Sequence, residues 1–173
     1  MDLEISYMMF SYIGDIRHMD RIDHRIITAL QEDGRMTITD LAETVGLSPT
    51  PCARRLERLQ ADRVITGYGA RADANKLGLG VTIFVSVELD KQDRTAIDAF
   101  ERAIKDCEEV MECYLMTGSR DILLRVVAAD LTAFDRFLET RLMPIPGIRN
   151  LRSNFALRAI TRRNALPVPD HTG

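Results

Sequence analysis

The sequence predicts an α+β fold in two parts. An N-terminal winged helix-turn-helix is followed by a C-terminal ferredoxin-like βαββαβ sheet domain. Three observations predict this. Apolar residues recur at helical spacing through three short stretches after Asp20, broken by Gly34 and Gly46. The second and third stretches are joined by a very short turn around Gly46-Leu47. Beyond the Gly-rich joint Leu77–Gly80 the pattern becomes strand, helix, strand, strand, helix, strand.

The first helix is predicted from Asp20 to Gln31, with Ile22, Ile26, Ile27 and Leu30 on one face, Asp20 as N-cap and Gly34 past its end. The second starts at Thr37 with Asp40 three residues on, a spacing like that of a capping box, and Gly46 stops it. Its inner face is Leu41, Ala42 and Val45. For the third, Ser48 is a suitable N-cap and Pro49 falls at the first helical position. Cys52, Leu56 and Leu59 face inward, and Arg54, Arg55 and Arg58 fall on the remaining surface. From Ser48 to Arg63 four arginines (54, 55, 58, 63) oppose Glu57 and Asp62, a local balance of +2. A tight helix pair with a basic second helix is the arrangement that enters the major groove of DNA. The helix N-terminus is expected to add free N–H groups that suit a phosphate. Val64–Ala72, β-branched and broken by Gly67 and Gly69, is expected to form a small β wing.

In the second part, Val81–Leu89 has strand composition, with Thr82, Ser86 and Glu88 on a wetter face. Asp93 to Ile104 carries Ile97, Phe100 and Ile104 at helical spacing. Val110–Met116 and Asp121–Val127 are strands joined by the tight turn Thr117-Gly118-Ser119-Arg120. Asp130–Leu142 is a helix with Leu131, Phe134, Phe137 and Leu138 inward, broken by Met143–Gly147, and Ile148–Ile160 is a last strand. Such a sheet has helices on one face, so the other needs a cover, and a second copy of the sheet is the simplest one. A homo-oligomer is expected. The predicted divisions are an extension (1–18), the winged helix-turn-helix (19–72), a hinge (73–80), the sheet domain (81–162) and a tail (163–173).

Composition narrows the function. The chain has 173 residues, 46% hydrophobic and 28% charged, with a net charge of −3, which excludes a disordered chain and a strongly basic histone-like protein. No apolar run approaches the ~18 residues of a membrane span. Three cysteines without a C-x-x-C pair argue against a disulfide framework or structural zinc and fit a reducing cytoplasm. No secretory signal is read at the start. The extension is read as disordered or as the product of a start codon placed too far upstream. A docking arm carried by Tyr7, Met8, Met9, Phe10 and Tyr12 is the other reading. No catalytic residues are expected, because His18, His24 and His171 are scattered and neither a P-loop nor G-x-S-x-G occurs. Cys52 is expected in the core, and Cys107 and Cys113 at core or edge positions rather than as metal ligands.

From Met19 to Pro167 the chain resembles the leucine-responsive regulatory protein/AsnC family of transcription regulators. The motifs that carry the resemblance are DRIDHRIITALQEDGRMTITDLAETVGLSPTPCARRLERLQADRVITGY, the LGLG joint, FVSVELD, EVMECYLMTGSRDILLRVVAADL and MPIPGIRNLRSNFAL. The resemblance implies a DNA-binding regulator that assembles as dimers, tetramers or octamers and senses an amino acid or related metabolite, with no other cofactor. Its partners would be double-stranded DNA, the effector and further copies of itself. The DNA-reading segment implied is Ser48, Pro49, Thr50, Pro51, Arg54, Arg55 and Arg58. The effector site implied is the turn Thr117, Gly118, Ser119, Arg120 and Asp121. The family typically has Gly-Asp-x-Asp-Tyr there. This chain keeps Gly118 and Asp121 but has Ser119 and Ile122 in place of the first acid and the aromatic residue, so neither leucine nor asparagine transfers as ligand.

The turn has its own chemistry. Backbone N–H groups around Gly118-Ser119-Arg120 can hold a carboxylate, Asp121 can pair with an ammonium, and Arg120 can add a charge-assisted bond. The plain alternative is that Gly118 permits a tight turn, Arg120 is solvated and Asp121 closes the turn. At the level of the whole protein, the alternative is an architectural DNA binder without an effector.

Overall fold

The computed structural model describes residues 19–118 and 120–168. The expected extension 1–18, the turn residue Ser119 and the last residues of the tail lie outside the described residues. Two compact units emerge. One runs to Ala70 and is rejoined by the chain from Arg162, and the other is Arg71–Thr161.

The first unit holds three helices, α1 Arg21–Glu32, α2 Ile38–Val45 and α3 Pro49–Ala61. Local chemistry sets their ends. The Asp20 side chain accepts from the backbone N–H groups of Ile22 and Asp23, and Asp23 reciprocates on the Asp20 N–H, a complete capping box. Thr37 caps α2 by accepting from the Asp40 N–H. Gly46 ends α2 at φ 74°, a left-handed position that suits glycine. Between the helices Ile26, Ala29, Leu41, Ala42, Val45, Cys52 and Leu59 are buried, with Ile22, Leu30, Leu47 and Leu56 packed around them. Each large side chain buried there contributes roughly 1.5–3 kcal/mol. The Arg25 guanidinium donates to the Thr44 carbonyl at 2.7 Å and ties α1 to the end of α2.

The expected wing does not form. Among the described residues, 64–72 belong to no strand. The Val64 and Ile65 N–H groups instead donate to the Leu59 carbonyl and close the end of α3. Beyond them two glycines in four residues leave too short a β-branched run for paired strands. Tyr68 anchors the segment instead, its hydroxyl accepting from Gln60 at 3.0 Å. The start of the tail has a defined place. It returns to the first unit, where the Gln31 side-chain amide donates to the Leu166 carbonyl at 3.0 Å and accepts from the Leu166 N–H at 2.6 Å.

The second unit is β1 Val81–Leu89, α4 Arg94–Ile104, β2 Val110–Leu115, β3 Ile122–Ala128, α5 Leu131–Phe137 and β4 Ile148–Phe155. The sheet is antiparallel in the order β2-β3-β1-β4, the predicted βαββαβ topology. The last strand ends at Phe155 rather than Ile160, since the pairing of β4 with β1 stops at Ile83–Phe155. The second helix is α only to Phe137. Leu138–Leu142 continue it as a π turn, closed by the Met143 N–H on the Leu138 carbonyl. Ile83, Val85, Val87 and Leu89 alternate with Thr82, Phe84, Ser86 and Glu88. The first set packs under Phe100, Ile104, Phe134, Phe137 and Leu142 from the helical layer. On the opposite face the register aligns Arg125, Phe84 and Asn154, then Leu123, Ser86 and Arg152. Tyr114 and Phe84 are exposed.

Candidate functional site

Two regions were expected to carry function, the start of α3 and the turn between β2 and β3.

At α3 the backbone places Ser48 at the N-cap and Pro49 at the first helical position, as expected, but Ser48 makes no capping bond through its side chain. An N-cap hydroxyl normally accepts from the second or third residue of the helix. Here the third is Pro51, which has no N–H. Pro49 and Pro51 also remove two of the donors that a helix N-terminus usually offers. The expected phosphate cradle therefore reduces to the Thr50 N–H, the Ser48 hydroxyl and the dipole of the helix. Ser48, Pro49 and Thr50 are exposed, and Pro51 is half-buried.

The three arginines divide. Arg54 is exposed and has no ion pair among the described residues. Arg55 and Arg58 reach back to α1. One Arg55 nitrogen lies 2.7 Å from Asp20 Oδ2 and 2.9 Å from Asp23 Oδ1, and Arg58 Nη2 pairs with Asp23 Oδ2. The Asp23 side chain is 1% exposed. Hydrogen bonds to Asp20 first, then Asp23, push the Arg55 pKa up. Burial pushes the Asp20 carboxyl up, but the Asp23 N–H and the Arg55 guanidinium outweigh it and leave it below its ordinary value. Arg55 and Arg58, expected on the surface in the DNA-reading segment, are half-buried and exposed respectively, and both are ion-paired. They are cross-helix struts. The sequence points to Asp20 only as an N-cap and carries no expectation for Asp23. A signal was available: two acids three apart on one helix and two arginines three apart on another have matching spacings.

The effector turn is also partly committed inside the chain. Thr117 and Gly118 are exposed, and Gly118 takes φ 116°. Asp121 is buried, and both its oxygens are engaged. Oδ2 accepts from the Leu89 N–H at 2.7 Å and Oδ1 from Gln92 Nε2 at 2.5 Å. Arg120 is not solvated. Its guanidinium donates to the buried Ser86 hydroxyl at 2.6 Å, 34 residues away. Asp121 thus ties the start of β3 to the end of β1, a role the sequence reading did not include. Further along β3, Arg125 and Glu112 pair at 2.7 Å across β3 and β2, and Tyr114 donates to Glu112 at 3.0 Å. A cleft of 570 Å³ lies elsewhere in this unit, between α4 and β2, lined by Asp98, Glu101, Lys105 and Cys113 among others.

The cysteines are free. Burial pushes the Cys52 thiol up, so it remains a protonated core residue. Cys113 is also pushed up, by burial and then by Glu101. No cluster of metal-ligating side chains occurs among the described residues, and no described helix is long and apolar enough to cross a membrane.

Comparison with known proteins places both units. Residues 19–60 match the AsnC-type helix-turn-helix domain, and residues 82–166 match the Lrp/AsnC ligand binding domain. The chain is 45% identical over 150 residues to the Bkd operon transcriptional regulator of Pseudomonas aeruginosa, covering 87% of this chain and 98% of that one. It is 33% identical over 152 residues to the leucine-responsive regulatory protein of Escherichia coli, covering 88% and 93%. Among solved structures, a Neisseria meningitidis transcriptional regulator in complex with L-Met superposes with a TM-score of 0.82 at 33% identity, covering 87% of this chain and 97% of that one.

Proposed function

Because this chain belongs to the Lrp/AsnC family of transcriptional regulators, we propose that it binds specific DNA through the start of α3 and that an amino acid held at the β2–β3 turn adjusts that binding. The observation that carries the DNA reading is the exposed set Ser48, Thr50 and Arg54 at the head of a helix docked on its neighbours. Arg54 offers the free guanidinium, suited to a phosphate or to a guanine edge. Pro49 and Pro51 hold the first turn rigid, and Arg55 and Arg58 orient the helix rather than contact DNA.

For the effector, the ligand class is a free α-amino acid. Its carboxylate would meet backbone N–H groups of the turn, opened by Gly118, with Thr117 beside it. Asp121 would shape this turn from beneath. The open sheet face, with Phe84 and Tyr114, would be covered by a second copy, giving a dimer that presents two α3 helices to half-sites about one helical turn apart, roughly 34–36 Å. Effector binding would shift assemblies only as far as its affinities for them differ.

The test is a gel shift on the gene's own upstream region at fixed moderate salt, with and without pooled amino acids. A specific shift that a pool strengthens or weakens supports the reading and leads to the ligand. A specific shift insensitive to every pool refutes the effector half. No shift refutes binding at this region.

A further inference from the structure

The pairing of α1 with α3 sorts the arginines of the recognition helix into two kinds, a deepening of the DNA reading above on which it rests. Asp23 lies at the third position of α1 and is fixed from two sides. Its own N–H is held by the Asp20 side chain, and its Oδ2 accepts from the Asp20 N–H. A carboxylate so placed cannot turn away. Both its oxygens point at α3, where Arg55 takes one and Arg58 the other. Arg55 and Arg58 are one helical turn apart, so the two contacts fix both the rotation of α3 about its axis and its position along it. Charge is balanced, with two carboxylates against two guanidiniums. A DNA phosphate competing for Arg55 would have to displace two anions already within 2.9 Å of it. Arg54 is the next residue back, rotated by about 100° from Arg55, and no acid pairs with it among the described residues.

We propose that Asp23 is a positioning residue for DNA recognition: it withholds Arg55 and Arg58 from the phosphates and sets the rotation of α3 that presents Arg54, Thr50 and Ser48. Removing the charge of Asp23 releases Arg58 next to the DNA face and leaves Arg55 held by Asp20 alone. Non-specific attraction then rises while the register that reads sequence loosens. A residue that matters only for folding would lower both.

The experiment uses the full chain, its own upstream duplex and a scrambled duplex of equal length, with affinity measured by fluorescence anisotropy over a salt series. Each phosphate neutralised contributes about 0.9 to the slope of log affinity against log salt. Arg54→Ala is expected to reduce the slope by about one, and Arg55→Ala and Arg58→Ala to leave it unchanged. Asp23→Asn is expected to steepen it by about one, from Arg58, on scrambled DNA. The preference for the upstream duplex should fall by about tenfold, the size of one lost base contact. A slope reduced by Arg55→Ala as much as by Arg54→Ala overturns the proposal, as does Asp23→Asn with wild-type slope and preference. Should Asp23→Asn not fold, the two arginine variants decide alone. If Arg54→Ala also leaves the slope unchanged while wild type still discriminates, the DNA face assigned above has failed. Unchanged Arg55→Ala and Arg58→Ala slopes would then still uphold their withdrawal from the phosphates.

Discussion

Removing the Asp121 carboxylate should loosen the sheet unit, and by an amount the structure lets us work out. Asp121→Ala deletes two hydrogen bonds to a charged acceptor, from the Leu89 N–H and from Gln92. Bonds of this kind each contribute about 1.5–3 kcal/mol. Leu89 is 2% exposed, so its orphaned N–H has no access to water and lies toward the upper end of that range. Gln92 is exposed and can turn to solvent, so its loss lies toward the lower end. The expected cost of Asp121→Ala is therefore about 3–5 kcal/mol. Asp121→Asn keeps one oxygen for Leu89, and the Gln92 amide can flip to meet the new NH₂ group, so about 1 kcal/mol is expected. Hydrogen exchange of the β1 and β3 amides reads this unit separately from the helical one. Wild-type protection in Asp121→Ala would refute the assignment of Asp121 as a strut. Calorimetry adds the functional arm. Effector affinity should survive in Asp121→Asn, and its loss with protection intact would show that the carboxylate reaches the ligand instead.

Three further outcomes are expected. Ser48→Ala should leave the unfolding free energy of the helical unit within about 0.5 kcal/mol of wild type in chemical denaturation, whereas Thr37→Ala, which deletes a working cap, should cost about 1 kcal/mol; equal losses would contradict the proline argument. Gly46→Ala places a Cβ at φ 74° and should cost about 1–2 kcal/mol in chemical denaturation. The Asp20 carboxyl is held below its ordinary value of 3.8 in the folded chain, so its contribution is complete above that pH and is lost as pH falls through the lowered value. Melting scans between pH 6 and pH 2.5 should show a shallower acid decline in Asp20→Asn, and an unchanged decline would remove Asp20 from the account.

Most of the helical unit was readable because its signals are local. Asp20, Thr37 and Gly46 each act within four residues of themselves, and the apolar spacing of Ile22, Ile26 and Leu30 needs no partner to be seen. The sheet was readable for a similar reason, since alternation along β1 marks its two faces. What escaped was action over distance. Arg55 and Arg58 look like surface charge until α1 is laid beside them, 32 to 35 residues earlier in the chain. Arg120 looks solvated until β1 brings Ser86 under it. Ser48 shows the opposite failure: the residue type was right for a cap, and a proline three positions on removed the donor. The wing was over-read because β-branched composition was given weight over the two glycines that interrupt it.

The return of the tail changes what kind of connection joins the two units. The sheet unit is topologically an insert within the helical one: the backbone leaves after α3 and comes home at Leu166, beside Gln31 near the end of α1. A lone tether passes tension to one point and leaves torsion free to dissipate. Two leads, one after α3 and one at Leu166 beside Gln31, enter the same unit. Two hydrogen bonds join Leu166 to Gln31 among the described residues, feeble between separate molecules but sustained here by the local concentration that the covalent route enforces. Truncation at Arg162 removes the second lead and leaves the route through Arg71 to carry the chain between the units.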